Sequence, residues 1–280
     1  MKGYIEQRLE QYSPRNKVEE KNALQEIFQE IALYALQRSG FFEHAAFCGG
    51  TALRILYGLN RFSEDLDFSL KEADAGFLLD PYVDKAAEYA KDFGLSFEAS
   101  GRNKVDKAVK GRFLKQNSLG LMLDLDYLND PREKIKIKVE LDANPPEGAG
   151  FERHYHDFPI DFPLLAHDMP SLFAGKIHAV LCREPSKGRD WYDLSWYLSR
   201  QINPNLGFLK NALWQLGPWK EKTISVDSKW LKRALSNCIH DADFESLRQD
   251  VQPLLGVQER QSLEHWSADL FLSKLNKVGF

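Results

Sequence analysis

The sequence predicts an α+β fold in which a mixed sheet comes first and helices follow to the end. Three observations lead there. Short runs between residues 95 and 142 alternate apolar and polar side chains, as half-buried strands do. The stretch before residue 40 carries apolar residues at helical spacing. After Pro170 only helical spacing recurs. On this reading an α/β domain spans residues 1–165, and a helical domain over 166–280 completes the active-site cleft.

Ser13-Pro14 offers a helix start, and Leu24, Ile27, Phe28, Ile31, Ala32 and Ala35 keep helical spacing until Gly40 ends it. That helix is a brace rather than a site. Residues 45–48 read as a short buried strand, 51–57 as a helix and 65–70 as a second strand. Residues 81–93 are helical, with Gly94 as the stop. Strand-like runs follow at 95–99, 108–116, 119–127 and 134–142. In the last, Lys134, Lys136, Lys138, Glu140 and Asp142 lie on one face and Ile135, Ile137, Val139 and Leu141 on the other. Residues 150–170, with prolines at 159, 163 and 170, read as a connecting arm. Helices are expected at 171–181, 189–198, 204–216, 227–239, 243–254 and 259–276, with Trp214, Trp230 and Trp266 as core anchors.

Composition removes several classes of function. A formal net charge of −4 argues against a protein that coats nucleic acid without selectivity. The charge is uneven, however: Arg102, Lys104, Lys107, Lys110, Arg112 and Lys115 stand against the single acid Asp106. No apolar run is long enough to cross a membrane, and the first residues lack the apolar core of a signal peptide, so a cytoplasmic protein is expected. Cys48, Cys182 and Cys238 are far apart and form neither a disulfide framework nor a zinc knuckle. His154, His156 and His167 are irregularly spaced and give no zinc site.

Chemistry concentrates in residues 47–70. Gly49 and Gly50 allow the backbone to approach a ligand, and their N–H groups, with those of the following helical turn, suit a phosphate. Asp65 and Asp67 share one face of a strand while Leu66 and Phe68 point into the core. Two neighbouring carboxylates repel unless a cation lies between them, and Mg²⁺ binds through such a pair together with waters and substrate phosphates. The phosphate turn and the acidic pair therefore imply one another. Asp124 and Asp126 form a second acidic pair, but no Gly-Gly turn precedes it, so strand-end acids are the better account.

Gly49-Gly50-Thr51 followed by Asp65-Leu66-Asp67 resembles the signature of the polymerase-β-like nucleotidyltransferase superfamily. The wording Gly-Gly-Thr-Ala-Leu-Arg and Arg-Phe-Ser-Glu-Asp-Leu-Asp-Phe resembles the AbiEii/AbiGii nucleotidyltransferase toxins of bacterial toxin–antitoxin and phage-defence systems. The resemblance is specific over residues 47–70 and continues more thinly to about residue 198. It places the family's Lys-x-acidic motif on Lys138-Val139-Glu140, which nominates Glu140 as a third carboxylate, with Asp142 left open as the other choice. It also implies that Lys176 holds nucleotide phosphates and that Asp190 or Asp193 completes the pocket. Arg61 and Lys138 are further nucleotide contacts on this basis.

The resemblance implies a reaction. Gly49, Gly50, Thr51 and Lys176 would hold a nucleoside triphosphate, and Asp65, Asp67 and Glu140 would hold two Mg²⁺ ions. An acceptor hydroxyl would attack the α-phosphorus and pyrophosphate would leave. The acceptor implied is RNA, the 3′ end of tRNA, with a cognate antitoxin as a partner that need not touch the enzyme. Two alternatives stay open: a protein or small-molecule hydroxyl as acceptor, and a catalytically silent nucleotide-binding module.

Overall fold

The computed structural model describes residues 2–100, 108–116, 123, 125–128, 130 and 133–279. The chain divides into two compact units, one of residues 1–57, 62–145 and 153–166, the other of 58–61, 146–152 and 167–280.

The first unit opens with α1 (Lys2–Tyr12) and α2 (Lys17–Arg38), then β1 (Ala45–Cys48), α3 (Gly49–Tyr57), β2 (Asp65–Leu70) and α4 (Asp80–Ala90). Strands β3 (Glu98–Ser100), β4 (Val109–Gln116), β5 (Ile135–Asp142), β6 (Phe151–His156) and β7 (Phe162–His167) follow. They form one sheet in the order β3-β4-β5-β2-β1-β7-β6. It is mixed, as the sequence predicts. β1 is antiparallel to β2 and parallel to β7, β2 is parallel to β5, and β4 is antiparallel to both β3 and β5.

Helix α2 is the spine of this unit, and every residue from Glu26 to Leu36 is buried. Three of those residues are polar, and a buried polar group is costly unless it is bonded. Each finds partners: Glu26 meets Arg54 at 2.8 Å and Tyr12 at 2.9 Å, Glu30 meets Arg8 and His156, and Gln29 donates to the Ser63 carbonyl. Ser13-Pro14 does not start this helix. Ser13 adopts a left-handed φ of 45° and turns the chain between α1 and α2, whose true cap is Asn16, accepting from Val18 and Glu19 N–H. Helix α1 escapes the periodicity because only Ile5 and Leu9 of its apolar residues are buried.

Two further expectations are corrected. Residues 150–170 are not an arm: they carry β6 and β7. In β6 the exposed side chains include Phe151 and Tyr155 while the half-buried ones are Glu152, His154 and His156, which inverts the pattern expected of a half-buried strand. The expected strand at 119–127 is absent from its described residues, 123 and 125–127. There the N–H groups of Asp126, Tyr127 and Leu128 donate to the buried Glu20 carboxylate at 2.9, 3.0 and 2.6 Å. Asp124 lies outside the described residues.

The second unit is built mainly of helices: α5 (Met169–Cys182), α6 (Gly188–Ser199), α7 (Leu206–Gln215), α8 (Ser228–His240), α9 (Phe244–Val251), α10 (Val257–Ser262) and α11 (Ala268–Lys277). Asp168, Asn205, Asp227, Asp243 and Ser267 cap five of them through side-chain oxygens that accept first-turn N–H groups. The single helix expected over 259–276 is broken, because Trp266 is extended and Ser267 caps a new helix. Trp191, Phe244 and Phe271 pack edge to face or tilted in the core, and Phe173 stacks on Tyr197 at 4.2 Å. Of the three expected anchors only Trp266 is buried; Trp230 is half-buried and Trp214 is 55% exposed.

Candidate active site

Cys48 ends β1 and Gly49 begins α3, with no loop between them. That abrupt turn holds Gly49 at φ 76°, a left-handed backbone that suits glycine. A second constraint acts at the same place: a Cβ on Gly49 would overlap the Asp67 carboxylate. The missing side chain is what lets Asp67 sit beside the first turn of α3. Gly50 and Thr51 are buried in that turn, and the Thr51 hydroxyl donates to the Asp65 carbonyl, tying α3 to β2.

Strand register assembles the rest. Across the parallel pair β2–β5, Asp65 lies beside Lys138, Asp67 beside Glu140 and Ser69 beside Asp142. Residues in register on neighbouring strands share a face, so Asp65, Asp67, Lys138 and Glu140 project together. Lys138 Nζ lies 2.8 Å from Glu140 Oε1. The bond to Glu140 raises the ammonium pKa, burial opposes it, and Asp65 and Asp67 add attraction. Asp142 is placed differently. Its neighbour is Ser69, its Oδ1 accepts from Asn144 N–H at 2.9 Å, and burial raises its pKa. Burial first, and then Asp67 and Asp142, push the Cys48 thiol well above its usual range, so it is no nucleophile.

The three carboxylates offer hard oxygen donors on one face, and the bare Cα of Gly49 lets the Asp67 carboxylate pack against the start of α3. Those features fit a divalent cation of the Mg²⁺ kind. As the side chains stand, no three His, Cys, Asp or Glu among the described residues converge on one point, and Glu140 is paired with Lys138.

In the second unit, Arg61, Lys176, Asp190 and Asp193 form one ionic cluster. Arg61 donates Nε and Nη2 to the two carboxylate oxygens of Asp193, each at 2.6 Å. Lys176 Nζ bridges Asp190 at 2.7 Å and Asp193 at 2.8 Å. Asp190 also takes Arg183 at 2.6 Å. Burial raises the Asp190 pKa, but Lys176 and Arg183 outweigh it and leave the carboxyl below its usual range. Likewise burial lowers Lys176, yet the two aspartates leave it raised. Arg61 is 1% exposed and closed on both sides by this pairing. Arg183 went unnoticed in the sequence; it follows the last residue of α5, where the backbone turns extended, and no spacing on the helix marks it.

The basic run of residues 102–115 is not an open track where it is described. Arg112 is buried between Asp80 at 2.9 Å and Asp84 at 2.8 Å, and Lys110 is buried with its ammonium on the Ala75 carbonyl. Arg102, Lys104 and Lys107 lie outside the described residues.

The model of the AbiEii nucleotidyl transferase toxin family, of type IV toxin–antitoxin systems, matches residues 31–272. The chain belongs to this family. It is thus a nucleotidyltransferase, and its matched region contains both the Gly49–Asp67–Glu140 assembly and the Lys176 cluster. MenT4, a nucleotidyltransferase toxin from Mycobacterium tuberculosis H37Rv, has a similar fold: the match covers 100% of this chain and 90% of that one at 16% identity, with a TM-score of 0.54. JHP933 from Helicobacter pylori matches over 89% of this chain and 94% of its own at 19% identity, with a TM-score of 0.48. A search of curated proteins finds no significant match. Among the described residues no helix is long and apolar enough to cross a membrane.

Proposed function

We propose that this AbiEii-family enzyme transfers a nucleoside monophosphate from a nucleoside triphosphate to an RNA hydroxyl, the 3′ end of a tRNA, in a Mg²⁺-dependent reaction. It acts as a toxin in the cytoplasm, opposed by a cognate antitoxin. The observation that carries the reading is the register that sets Asp67 beside Glu140, with the Asp67 carboxylate packed against Gly49 at the start of α3, where any side chain would displace it.

In this reading the N–H groups of Gly49, Gly50 and Thr51 at the start of α3 face the triphosphate. Asp65, Asp67 and Glu140 hold the metal, and register favours Glu140 over Asp142. A bound cation would neutralise phosphate charge and make the attacking hydroxyl more acidic. Lys138, released from Glu140, is positioned to meet a phosphate oxygen as a point charge. Lys176, with Asp190 and Asp193 as its supports, provides a second cation for the nucleotide. Arg61 supports Asp193 in this scheme instead of contacting nucleotide, since its donors are already committed.

The test is to incubate the purified protein with Mg²⁺, total RNA and each α-labelled nucleoside triphosphate in turn. Label on a tRNA-sized band, abolished by EDTA, is the expected result and names the nucleotide. Label that goes to protein or stays on small molecules would replace RNA as the acceptor.

A further inference from the structure

One segment of the helical unit combines basic and aromatic side chains. Between residues 210 and 233 there are six basic side chains, Lys210, Lys220, Lys222, Lys229, Lys232 and Arg233, against two acids, Glu221 and Asp227, in a protein whose formal net charge is −4. Three tryptophans are interleaved with them, Trp214, Trp219 and Trp230. Trp214 is 55% exposed at the end of α7, and its carbonyl accepts from Glu221 N–H at 2.8 Å, which folds the 214–221 segment back on itself. Trp219 meets the half-buried Trp230 edge to face at 5.5 Å.

Trp230 is also a wall of an open pocket of about 380 Å³, lined in addition by Ile224, Ser225, Asp227, Lys229 and Arg233. Lys229 and Arg233 are four residues apart on α8 and so lie on one helix face, both exposed. Among the described residues neither makes an ion pair with a carboxylate. The acid of the pocket is already occupied, because Asp227 Oδ1 accepts from Trp230 N–H at 2.8 Å and caps α8. Two exposed cations beside an aromatic wall, with a hydroxyl and little opposing charge, match what single-stranded nucleic acid presents: phosphates on one side and base faces on the other.

We infer that this pocket binds a single-stranded segment of RNA, with a base stacked on Trp230 and backbone phosphates on Lys229 and Arg233. The inference rests on the proposal that RNA is the acceptor, and it gives that acceptor a docking site remote in sequence from the catalytic carboxylates. Trp214 and Lys220 extend the same composition beyond the pocket. The buried pairings of Lys110 and Arg112 make residues 108–116 a poorer candidate for the role.

The test uses a fluorescein-labelled 15-nucleotide single-stranded RNA and fluorescence anisotropy at several salt concentrations, with the intact chain throughout. Lys229→Glu/Arg233→Glu should weaken binding by at least tenfold and reduce the slope of log affinity against log salt by about 1.4, as expected for two lost phosphate contacts on a single strand. Trp230→Ala should weaken it by about tenfold. A charge-matched control at two exposed lysines on α4 and just after it, Lys85→Glu/Lys91→Glu, should bind like the wild type. If both pocket variants bind RNA normally while the wild type labels RNA in the transfer assay, the docking site is wrong and the acceptor proposal stands. If the wild type neither binds nor labels any RNA, the acceptor proposal fails and this inference falls with it.

Discussion

Asp193, nominated from the sequence as a site residue, lies within a buried ionic cluster. It is fully buried, it receives two hydrogen bonds from an equally buried guanidinium, and Lys176 adds a third contact. Removing one partner of such a pair leaves an uncompensated charge in a dry environment. Asp193→Asn should therefore destabilise the protein by about 3–5 kcal/mol, read from urea midpoints. A variant with unchanged stability and no transfer activity would instead make Asp193 a direct participant. The sequence gives Asp190 and Asp193 as a pair on one helix face, but it cannot show that Arg61, 132 residues away, closes on the second of them. The Glu140 and Asp142 ambiguity has the same origin, since both lie on one face of β5 and only pairing with β2 distinguishes them.

At the scale of elements, the legible ones are those whose pattern is local. β5 alternates cleanly, with Ile135, Ile137, Val139 and Leu141 fully buried, and the β1–α3–β2 stretch has the bounds expected of it within two residues. β6 and β7 are obscured by prolines and by polar residues on both faces of β6, which is the edge of the sheet, while β7 lies inside it between β1 and β6. β7 ends in a residue with a measurable consequence. His167 is 5% exposed, faces the rings of Phe151 and Phe208, and burial lowers its pKa to about 4, with Asp168 pulling weakly the other way. The unfolded chain takes up this proton below about pH 6.5 and the folded one only near pH 4. Its contribution is thus complete above pH 6.5 and lost as pH falls through that window, amounting to about 3 kcal/mol. Urea titrations from pH 7 to pH 4 should show a steeper loss of stability in the wild type than in His167→Gln. Parallel curves would mean that the imidazole titrates alike in the folded and unfolded chain, contradicting its burial as the cause of a lowered pKa.

For the whole molecule, the fold class and family were legible because the Gly-Gly-Thr turn and the acidic pair lie within one short stretch, where backbone geometry leaves few alternatives. The distribution of charge was not. Six basic residues crowd the 102–115 run, yet Lys110 and Arg112 there are buried, whereas on α8 Lys229 and Arg233 are exposed beside the half-buried Trp230. Net charge of −4 is compatible with both, since a local basic surface is set by placement rather than by the total. The carboxylates that the β2–β5 register brings together are the ones proposed to carry out nucleotidyl transfer. The most direct measurement compares Asp67→Asn, Glu140→Gln and Asp142→Asn in one Mg²⁺-dependent transfer assay, with thermal melts confirming that each is folded. The account predicts that the first two lose transfer by at least a hundredfold and that Asp142→Asn retains most of it. A folded Asp67→Asn or Glu140→Gln enzyme with wild-type transfer would contradict the account.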